Sequence, residues 1–465
     1  MSDAYLEGKP MSEIIWDLAL IQKYNQSGPR YTSYPTALEF NQSYNDDDFK
    51  AAAARYPNRP LSLYVHIPFC HKLCYFCACN KIITRHRHKV DIYLDYLEKE
   101  IKTRSALFTN RTVTQIHWGG GTPTYLDEAQ SARLMTMLRQ HFNVSKDAEI
   151  SIEMDPREIE LNMLDHLKSI GFNRISMGIQ DFNKEVQKLV NREQDEEFIF
   201  ALMKRAKELG FTSTNIDLIY GLPKQNVESF MYTLERVIEL NPDRMSVFNY
   251  AHLPSRFAAQ IKIKDDMLPA PETKLTILQK TIEFLGDNGY KFIGMDHFAK
   301  PDDELAIAQQ QGVLHRNFQG YTTQEECDLL GMGVSAISLL GDTYAQNHKE
   351  LQQYYANVEE RGIALHKGLA LTKDDCIRRD VIKALICNFK LEFDRLQAEY
   401  QIDFKQYFAE DLALLEPLAK DGLLEINENS IVVSPRGRLL IRNICLCFDV
   451  YSRQLAKRQQ FSRII

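Results

Sequence analysis

The feature that most constrains this chain is a serial alternation of two hydrophobic periods. Short β-branched or apolar runs recur, namely LSLYVHI from Leu61, VTQIHW from Val113, EISIEM from Glu149, RISMGI from Arg174, TNIDLIYGL from Thr214 and RMSVFNYAHL from Arg244. Between them lie stretches such as VDIYLDYLEKEIKTRSALF and EEFIFALMKRAKELGF, with apolar residues three and four apart, the period of a helix that buries one face. Six βα units in series predict a parallel sheet with outer helices, either doubly wound or curled into a barrel. Both architectures build their sites on the loops at the C-terminal ends of the strands, and the polar and glycine-bearing residues of this chain cluster there.

The flanks read differently. A helical opening segment is followed by GPRYTSYPTALEF, Gly28 to Phe40, rich in Tyr, Pro and Thr, which predicts an irregular arm over the main domain. From about Ala364 the strand pattern fades into helices, in DDCIRRDVIKALICNFKL and EDLALLEPLAKDGLL, then a hairpin-like NENSIVVSPRG and a final helix. A chain of 465 residues exceeds one compact core. The expected division is 1–55 for the N-terminal helix and arm, 56–363 for an α/β catalytic domain and 364–465 for a mainly helical C-terminal domain. Helix, hairpin and helix suggest a winged helix. With a net charge of −7, a packing or lid domain is the better reading. The same charge argues against nucleic acid or an anionic membrane as partner, while leaving room for a local basic pocket. No apolar run approaches the roughly 20 residues of a membrane span. The N-terminus lacks a signal peptide's charged start and clean apolar core, so a cytoplasmic location is expected.

Nine cysteines in such a compartment suggest ligands, reactive thiols or small buried hydrophobes before disulfides. Four of them lie in Cys70-His-Lys-Leu-Cys74-Tyr-Phe-Cys77-Ala78-Cys79, directly after the first strand. Three thiolates at C-x3-C-x2-C spacing can each hold one iron of a 4Fe-4S cubane and leave the fourth iron open. If the amino and carboxylate groups of S-adenosylmethionine (SAM) chelate that iron, an injected electron can cleave a carbon–sulfur bond and release a carbon radical. A structural zinc site, which wants four ligands at C-x2-C spacing, and unliganded buried thiols are the alternatives, and the position after a first strand disfavours both. Gly119-Gly120-Gly121-Thr122 follows the second strand, where consecutive glycines let backbone approach a ligand closely. Later strand ends carry Glu153, Gln180 and Asp217, which converge on one mouth if the sheet curls.

With these residues in place the chain resembles the radical SAM superfamily and, within it, the oxygen-independent coproporphyrinogen III oxidases. The resemblance runs through GPRYTSYPTA, YVHIPFCHKLCYFC, HWGGGTPTY, SIEMDPRE, NREQDEEF, NIDLIYGLPKQ, VFNYAHLP, GMDHFAKPDDEL, HRNFQGYTT and RGRLLIRNICLCFD. It implies a partial (β/α)6 barrel and oxidative decarboxylation of two propionates of coproporphyrinogen III to vinyl groups. It also implies a cluster on Cys70, Cys74 and Cys77, with Tyr64 beside the sulfonium of the cluster-bound SAM and Gly120, Glu153 and the backbone near Ile337 on the same molecule. Phe76, Gly121, Thr122, Gln180, Arg192, Asp217 and Ala251 match the positions for a second SAM. The further partners expected are a reductant protein such as flavodoxin or ferredoxin, with the chain a monomer. A tetracarboxylate needs basic groups at the mouth, for which Arg30 and Arg316 are candidates, with His297 and His315 more often structural types. Ala78 replaces an expected glycine, which strains the loop only if that position needs positive φ. Cys79 separates the oxidase from a haem-chaperone branch that shares the fold and lacks the C-x-C pair. It is expected to act in catalysis or to shape the SAM pocket.

A cluster that binds SAM takes three protein thiolates, and Cys79, two positions beyond Cys77 in an extended loop, is expected to point elsewhere. Cys70→Ser, Cys74→Ser and Cys77→Ser should each lose the cluster after anaerobic reconstitution, by iron and sulfide content, while Cys79→Ser keeps it and loses activity. Equal iron loss from all four variants would leave no open iron and overturn the assignment.

Overall fold

A computed structural model describes residues 14–453 and residue 461, so the first part of the expected opening helix lies outside the described residues. The six predicted strands form as β1 (Leu61–Ile67), β2 (Thr112–Gly120), β3 (Asn143–Met154), β4 (Arg174–Gln180), β5 (Ser213–Tyr220) and β6 (Arg244–Asn249). They are followed by β7 (Lys291–Gly294), β8 (His297–Ala299), β9 (Asp328–Met332), β10 (Ile337–Leu340), β11 (Thr343–Asn347) and β12 (Leu365–Ala370). All belong to one sheet of 12 strands in the order β12-β11-β10-β9-β1-β2-β3-β4-β5-β6-β8-β7.

The order β1 to β6 runs without reversal and every neighbouring pair in it is parallel. A doubly wound sheet needs a reversal of order, so the winding is that of a barrel, left open because the edge strands β7 and β12 do not pair. The sheet exceeds the expected six units. β9 lies parallel to β1 on its far side, and antiparallel strands extend both edges. It also runs on to Ala370, past the position where the strand pattern fades in sequence, because β12 is an edge strand whose residues alternate poorly between core and solvent.

The alternation along the strands sorts chemistry from packing. In β4, Ile175, Met177 and Ile179 are buried under the outer helices, while Arg174, Ser176, Gly178 and Gln180 take the other face. β5 does the same with Ile216 and Leu218 against Asn215 and Asp217. The helices answer with one apolar stripe each. The helix Val227–Leu240 buries Phe230, Thr233, Leu234, Val237 and Leu240, starts at an Asn226 capping box closed by Ser229 and ends at a left-handed Asn241. Each of those large apolar side chains contributes about 1.5–3 kcal/mol by leaving water. The core therefore sits between sheet and helices, and the inside of the curl is free to be polar.

The C-terminal region is helical around a small antiparallel sheet of Lys390–Glu392, Ser430–Val433 and Leu424–Ile426; Ser430–Val433 falls in the predicted hairpin stretch, whereas its partner Leu424–Ile426 starts earlier, at the end of the stretch predicted as helix. Its last helix, Ile441–Cys447, holds the arm: Arg442 donates to the carbonyls of Gly28 and Pro29. The arm is fixed from the other side by Tyr344, whose hydroxyl donates to the Tyr34 carbonyl at 3.2 Å. Among the described residues no helix is long and apolar enough to cross a membrane.

One buried network ties the first crossover helix, His88–Ser105, to the sheet. Glu100 accepts from the Gly333 amide at 2.8 Å, the Tyr354 hydroxyl at 2.7 Å and Asn347 at 2.8 Å, and pairs by charge with Arg104 at 3.0 Å. Arg104 in turn donates to the Gly331 carbonyl at 2.9 Å, next to β1. Both side chains are out of solvent, so removing one leaves an uncompensated charge. Glu100→Ala should cost about 3–5 kcal/mol in chemical denaturation, and Glu100→Gln, which keeps most of the acceptors filled, distinctly less. Equal stability of Glu100→Ala and the unsubstituted chain would show that the network is not needed.

Candidate functional site

At the C-terminal ends of β1 and β2 two backbones run against each other. The Gly121 amide donates to the Ile67 carbonyl at 2.8 Å and the Thr122 amide to the Phe69 carbonyl at 2.9 Å. A Cβ on Gly121 would stand 2.6 Å from the Pro68 carbonyl oxygen, and one on Gly120, whose φ is +120°, would stand 2.7 Å from the His66 ring. The triple glycine is thus required by close approach, as its sequence position predicts. It props the start of the cysteine loop, whose neck is closed by Ile82 and Thr84 donating to Pro68 and Cys70 at 2.7 and 3.1 Å.

Beyond that neck lies a cavity of about 340 Å³. Cys70, Cys74, Cys77 and Cys79 all line it, together with Phe76, Gly120, Gly121, Thr122, Glu153, Gln180, Arg192 and Asp217. Twelve of the predicted site residues therefore meet in one place, although they span the chain from residue 70 to residue 217. Cys79 does not point elsewhere as its extended position suggests. Its thiol lies against the Cys77 sulfur and, by donating to it, holds the Cys77 thiol below its ordinary range. Ala78 is exposed and does not adopt a left-handed φ, so alanine is accommodated without strain in place of glycine.

The surroundings suit sulfur ligands. Arg157 and Arg192 donate to the Cys74 sulfur at 3.2 and 3.3 Å, and the Thr122 hydroxyl lies 3.3 Å from Cys70. Asp155 locks both arginines, at 2.6 Å from Arg157 and 3.1 Å from Arg192. Burial pushes the Cys70 thiol up to about 12, so ligation there displaces a proton. Three thiols on one wall of a cavity, with donors aimed at sulfur, fit a cluster of several irons. Asp155 and Arg157 lie in SIEMDPRE but carry no signal of their own, since only the folded loop brings them to Cys74.

Opposite the cysteines, Glu153 accepts from the Gly120 amide at 3.1 Å and lies 3.2 Å from His117. Burial pushes its carboxyl up, but His117 and the Gly120 amide outweigh burial and hold it below the ordinary range. Tyr64 stands one ring behind, stacked on His117 at 5.9 Å, with its hydroxyl 3.1 Å from His66. Tyr64, Ala251, Ile337, Arg30 and Arg316 are outside the lining of this cavity. Ile337 packs its backbone on Gly331, the β9 partner of Tyr64, and the Ala251 carbonyl is tied with that of Phe76 by the buried Gln260 at 3.3 and 3.0 Å. His315 pairs with Glu325 at 3.0 Å, and His297 lines the barrel interior below.

Comparison with known proteins agrees with this geometry. The chain is 70% identical over 455 residues to the oxygen-independent coproporphyrinogen III oxidase of Escherichia coli, covering 98% of this chain and 100% of that protein. The chain belongs to the oxygen-independent coproporphyrinogen III oxidase family. Proteins of that name in Synechocystis and Helicobacter pylori are 50% and 43% identical, over 96% and 94% of this chain and 97% of each. The profile of the radical SAM superfamily matches residues 64–237, and that of the HemN C-terminal domain matches 371–440, starting one residue after β12 ends. A solved structure described as coproporphyrinogen III oxidase (HemN) from Escherichia coli, a radical SAM enzyme, superposes with a TM-score of 0.92 at 68% identity, covering 94% of this chain and all of that one. The fold is the radical SAM fold, and as in that family the residues of this chain fit a 4Fe-4S cluster and SAM.

Asp217 gives the site a pH response. Burial and the neighbouring Glu153 push its carboxyl up to about 6, against hydrogen bonds from Asn215 at 2.8 Å and Ser176 at 3.4 Å. Asp217 is therefore neutral below that value and charged above it. Affinity for cationic SAM should fall as pH drops through about 6, by up to roughly tenfold near pH 5, and Asp217→Asn should flatten the profile. An unchanged pH profile in that variant would remove Asp217 from the SAM pocket.

Proposed function

We propose that this chain carries out the anaerobic oxidative decarboxylation of two propionate side chains of coproporphyrinogen III to vinyl groups, giving protoporphyrinogen IX. The observation that carries the reading is the cavity in which three spaced cysteines, the glycine turn and Glu153 meet. The bond to be broken is an unactivated propionate C–H, which no side-chain base can deprotonate. Held at Cys70, Cys74 and Cys77, a 4Fe-4S cluster with SAM would supply a 5'-deoxyadenosyl radical able to take that hydrogen atom, and the vinyl group would form as the substrate radical releases carbon dioxide and passes one electron to an acceptor.

The chain's own residues hold and shield. Glu153, kept ionised by His117 and the Gly120 amide, offers an acceptor to the ammonium of SAM. Arg157 and Arg192 set positive charge against Cys74, and Asp155 fixes both guanidiniums in that position on the cavity wall. Tyr64 stays a neutral phenol, raised by burial and by Glu153, and stiffens the wall behind His117. Phe76, Gly121, Thr122, Gln180, Arg192 and Asp217, all on the lining of this cavity, are the residues assigned to a second SAM, and Ala251 is linked to them through the Gln260 tie to Phe76. Cys79, exposed beside Cys77, shapes the pocket mouth or meets substrate. The electron comes from a reductant protein of the flavodoxin or ferredoxin type, and the setting is the cytoplasm.

Reconstituted chain supplied with a reductant, SAM and coproporphyrinogen III under strict exclusion of oxygen should yield a tetrapyrrole that has lost two carboxyl groups, with methionine and 5'-deoxyadenosine. Mass spectrometry reads all three. A methylated tetrapyrrole, or stable haem binding and transfer with no turnover, would overturn the reading.

A further inference from the structure

From Phe49 to Val90 the chain carries eight lysines and arginines and no acidic residue, although its net charge is −7. The cysteine loop lies inside that stretch. Four of the eight each face an acid from elsewhere in the chain: Lys50 meets Asp47 at 3.3 Å, Arg55 meets Asp342, Arg59 meets Asp328 at 3.4 Å and Lys72 meets Glu158 at 2.7 Å. The other four fall in Lys81-Ile-Ile-Thr-Arg85-His86-Arg87-His88-Lys89, directly after the loop. Lys81 donates to the Cys77 carbonyl at 3.0 Å, and Arg87 to the Tyr125 carbonyl at 3.1 Å, both neutral acceptors. Among the described residues Arg85 and Lys89 pair with no acid. Asp91, the first acid after the run, accepts from Gln130 at 2.8 Å. Residues 85–89 are all exposed, and two large apolar side chains stand in water in the same segment, Ile83 at 42% and Ile92 at 45% exposure. Exposed apolar side chains set among unanswered cations suit a protein partner with an acidic rim.

This run backs onto the cysteine loop. The short strand Ile82–Ile83 lies parallel to Phe69–Cys70 with Ile83 in register with Cys70, about 4.8 Å away as neighbouring strands are. The Thr84 amide donates to the Cys70 carbonyl and the Tyr125 hydroxyl to the Thr84 carbonyl, each at 3.1 Å. The Tyr125 ring lies 4.1 Å from the ring of His71 and 5.6 Å from the Arg87 guanidinium, so it joins the run to the neighbour of Cys70. None of residues 82–89 lines the cysteine cavity. SAM and substrate occupy the inside of that cavity, so an electron that arrives while they are bound comes from outside the loop, where this run lies.

We propose that Ile83–Lys89 is the docking surface for the reductant, a small electron-carrier protein with an acidic rim around its redox group. The assignment rests on the reading that a reductant protein feeds a cluster held at Cys70, Cys74 and Cys77. The acidic rim meets Arg85, Arg87 and Lys89, and Ile83 supplies the apolar contact. One electron passes from the reduced carrier to the cluster, leaving the carrier oxidised by one electron. Opposite charge speeds the encounter and fixes orientation more than it raises affinity, which suits a partner that must leave after each electron.

The test compares the reconstituted full chain with Arg85→Glu/Lys89→Glu and with Lys204→Glu/Lys405→Glu, two exposed lysines elsewhere that carry the same change of charge. Binding of reduced flavodoxin and of reduced ferredoxin is titrated at low and high salt. Cluster reduction by each is followed by stopped flow as bleaching of the visible absorption, with dithionite as a small reductant. At low salt Arg85→Glu/Lys89→Glu should weaken carrier binding and slow bleaching at sub-saturating carrier roughly 10- to 100-fold, while the control pair changes either by less than about twofold. High salt should shrink the difference. Iron content, SAM binding and bleaching by dithionite should be the same in all forms. Carrier binding and bleaching that match the unsubstituted chain in Arg85→Glu/Lys89→Glu, or an equal loss in the control pair, would overturn the proposal and leave the reductant reading intact. If neither carrier binds or reduces the unsubstituted chain while dithionite does, that reading falls and the proposal falls with it.

Discussion

In a parallel sheet neighbouring strands run in the same direction, so every crossover returns the chain to the same end of the sheet before the next strand begins. In this protein the constraint is tightest between β1 and β2, where the register sets Ile67 opposite Gly120 and drives the Pro68–Cys70 backbone onto Gly121. No side chain fits between them. The cysteine loop can leave the sheet in one direction only, over the mouth of the curl, and the rest of the site is built around where it lands. Arg157, beside Asp155 at the end of β3, and Arg192, beyond β4, meet Cys74 because the loop is held there, and Asn191 and Val190 hold it from the far side through the carbonyl of Leu73 and the amide of Tyr75.

The same winding explains why the interior is polar in a protein whose strands read as apolar. One face of each strand packs on helices and takes the Ile, Leu and Met residues. The other looks into a curl too open for side chains to fill it, and there the cost of burying polar groups is met by their binding one another. His117 with Ser151 at 2.6 Å and Asn215 with Asp217 at 2.8 Å are such pairs. They leave Glu153 charged and Asp217 poised near neutrality at the top of the curl. Two carboxylates side by side in a buried site repel, and this pair is split by what donates to each.

Much of this was legible in the chain, and the reasons are local. Strand positions follow from runs of apolar residues whose period is set by backbone geometry, and all six appear where they were expected. The cysteines, the glycine turn and the strand-end carboxylates were legible because each sits at the end of such a run, where the loops of a parallel sheet converge. What was not legible has no local signature. β9 joins the parallel set from a stretch of the chain more than 200 residues after β1, and nothing in DLLGM distinguishes a central parallel strand from an edge. That Cys79 lines the same cavity as Cys70, Cys74 and Cys77 is not legible in an alternate spacing, which tells nothing of how the loop folds.

The sequence by itself pointed to a parallel α/β fold and, through its motifs, to the family to which the comparisons assign the chain, because hydrophobic period, cysteine spacing and motif order are properties of neighbouring residues. Only the tertiary structure decided which donors face Cys74, which carboxylate keeps its charge and how the arm meets the last helix. Arg157 and Arg192 each read alone as an ordinary arginine, and 83 and 118 residues of chain separate them from the Cys74 sulfur to which they donate. Their meaning comes from being brought together out of water, where charge is neither screened nor hydrated and so must find a partner.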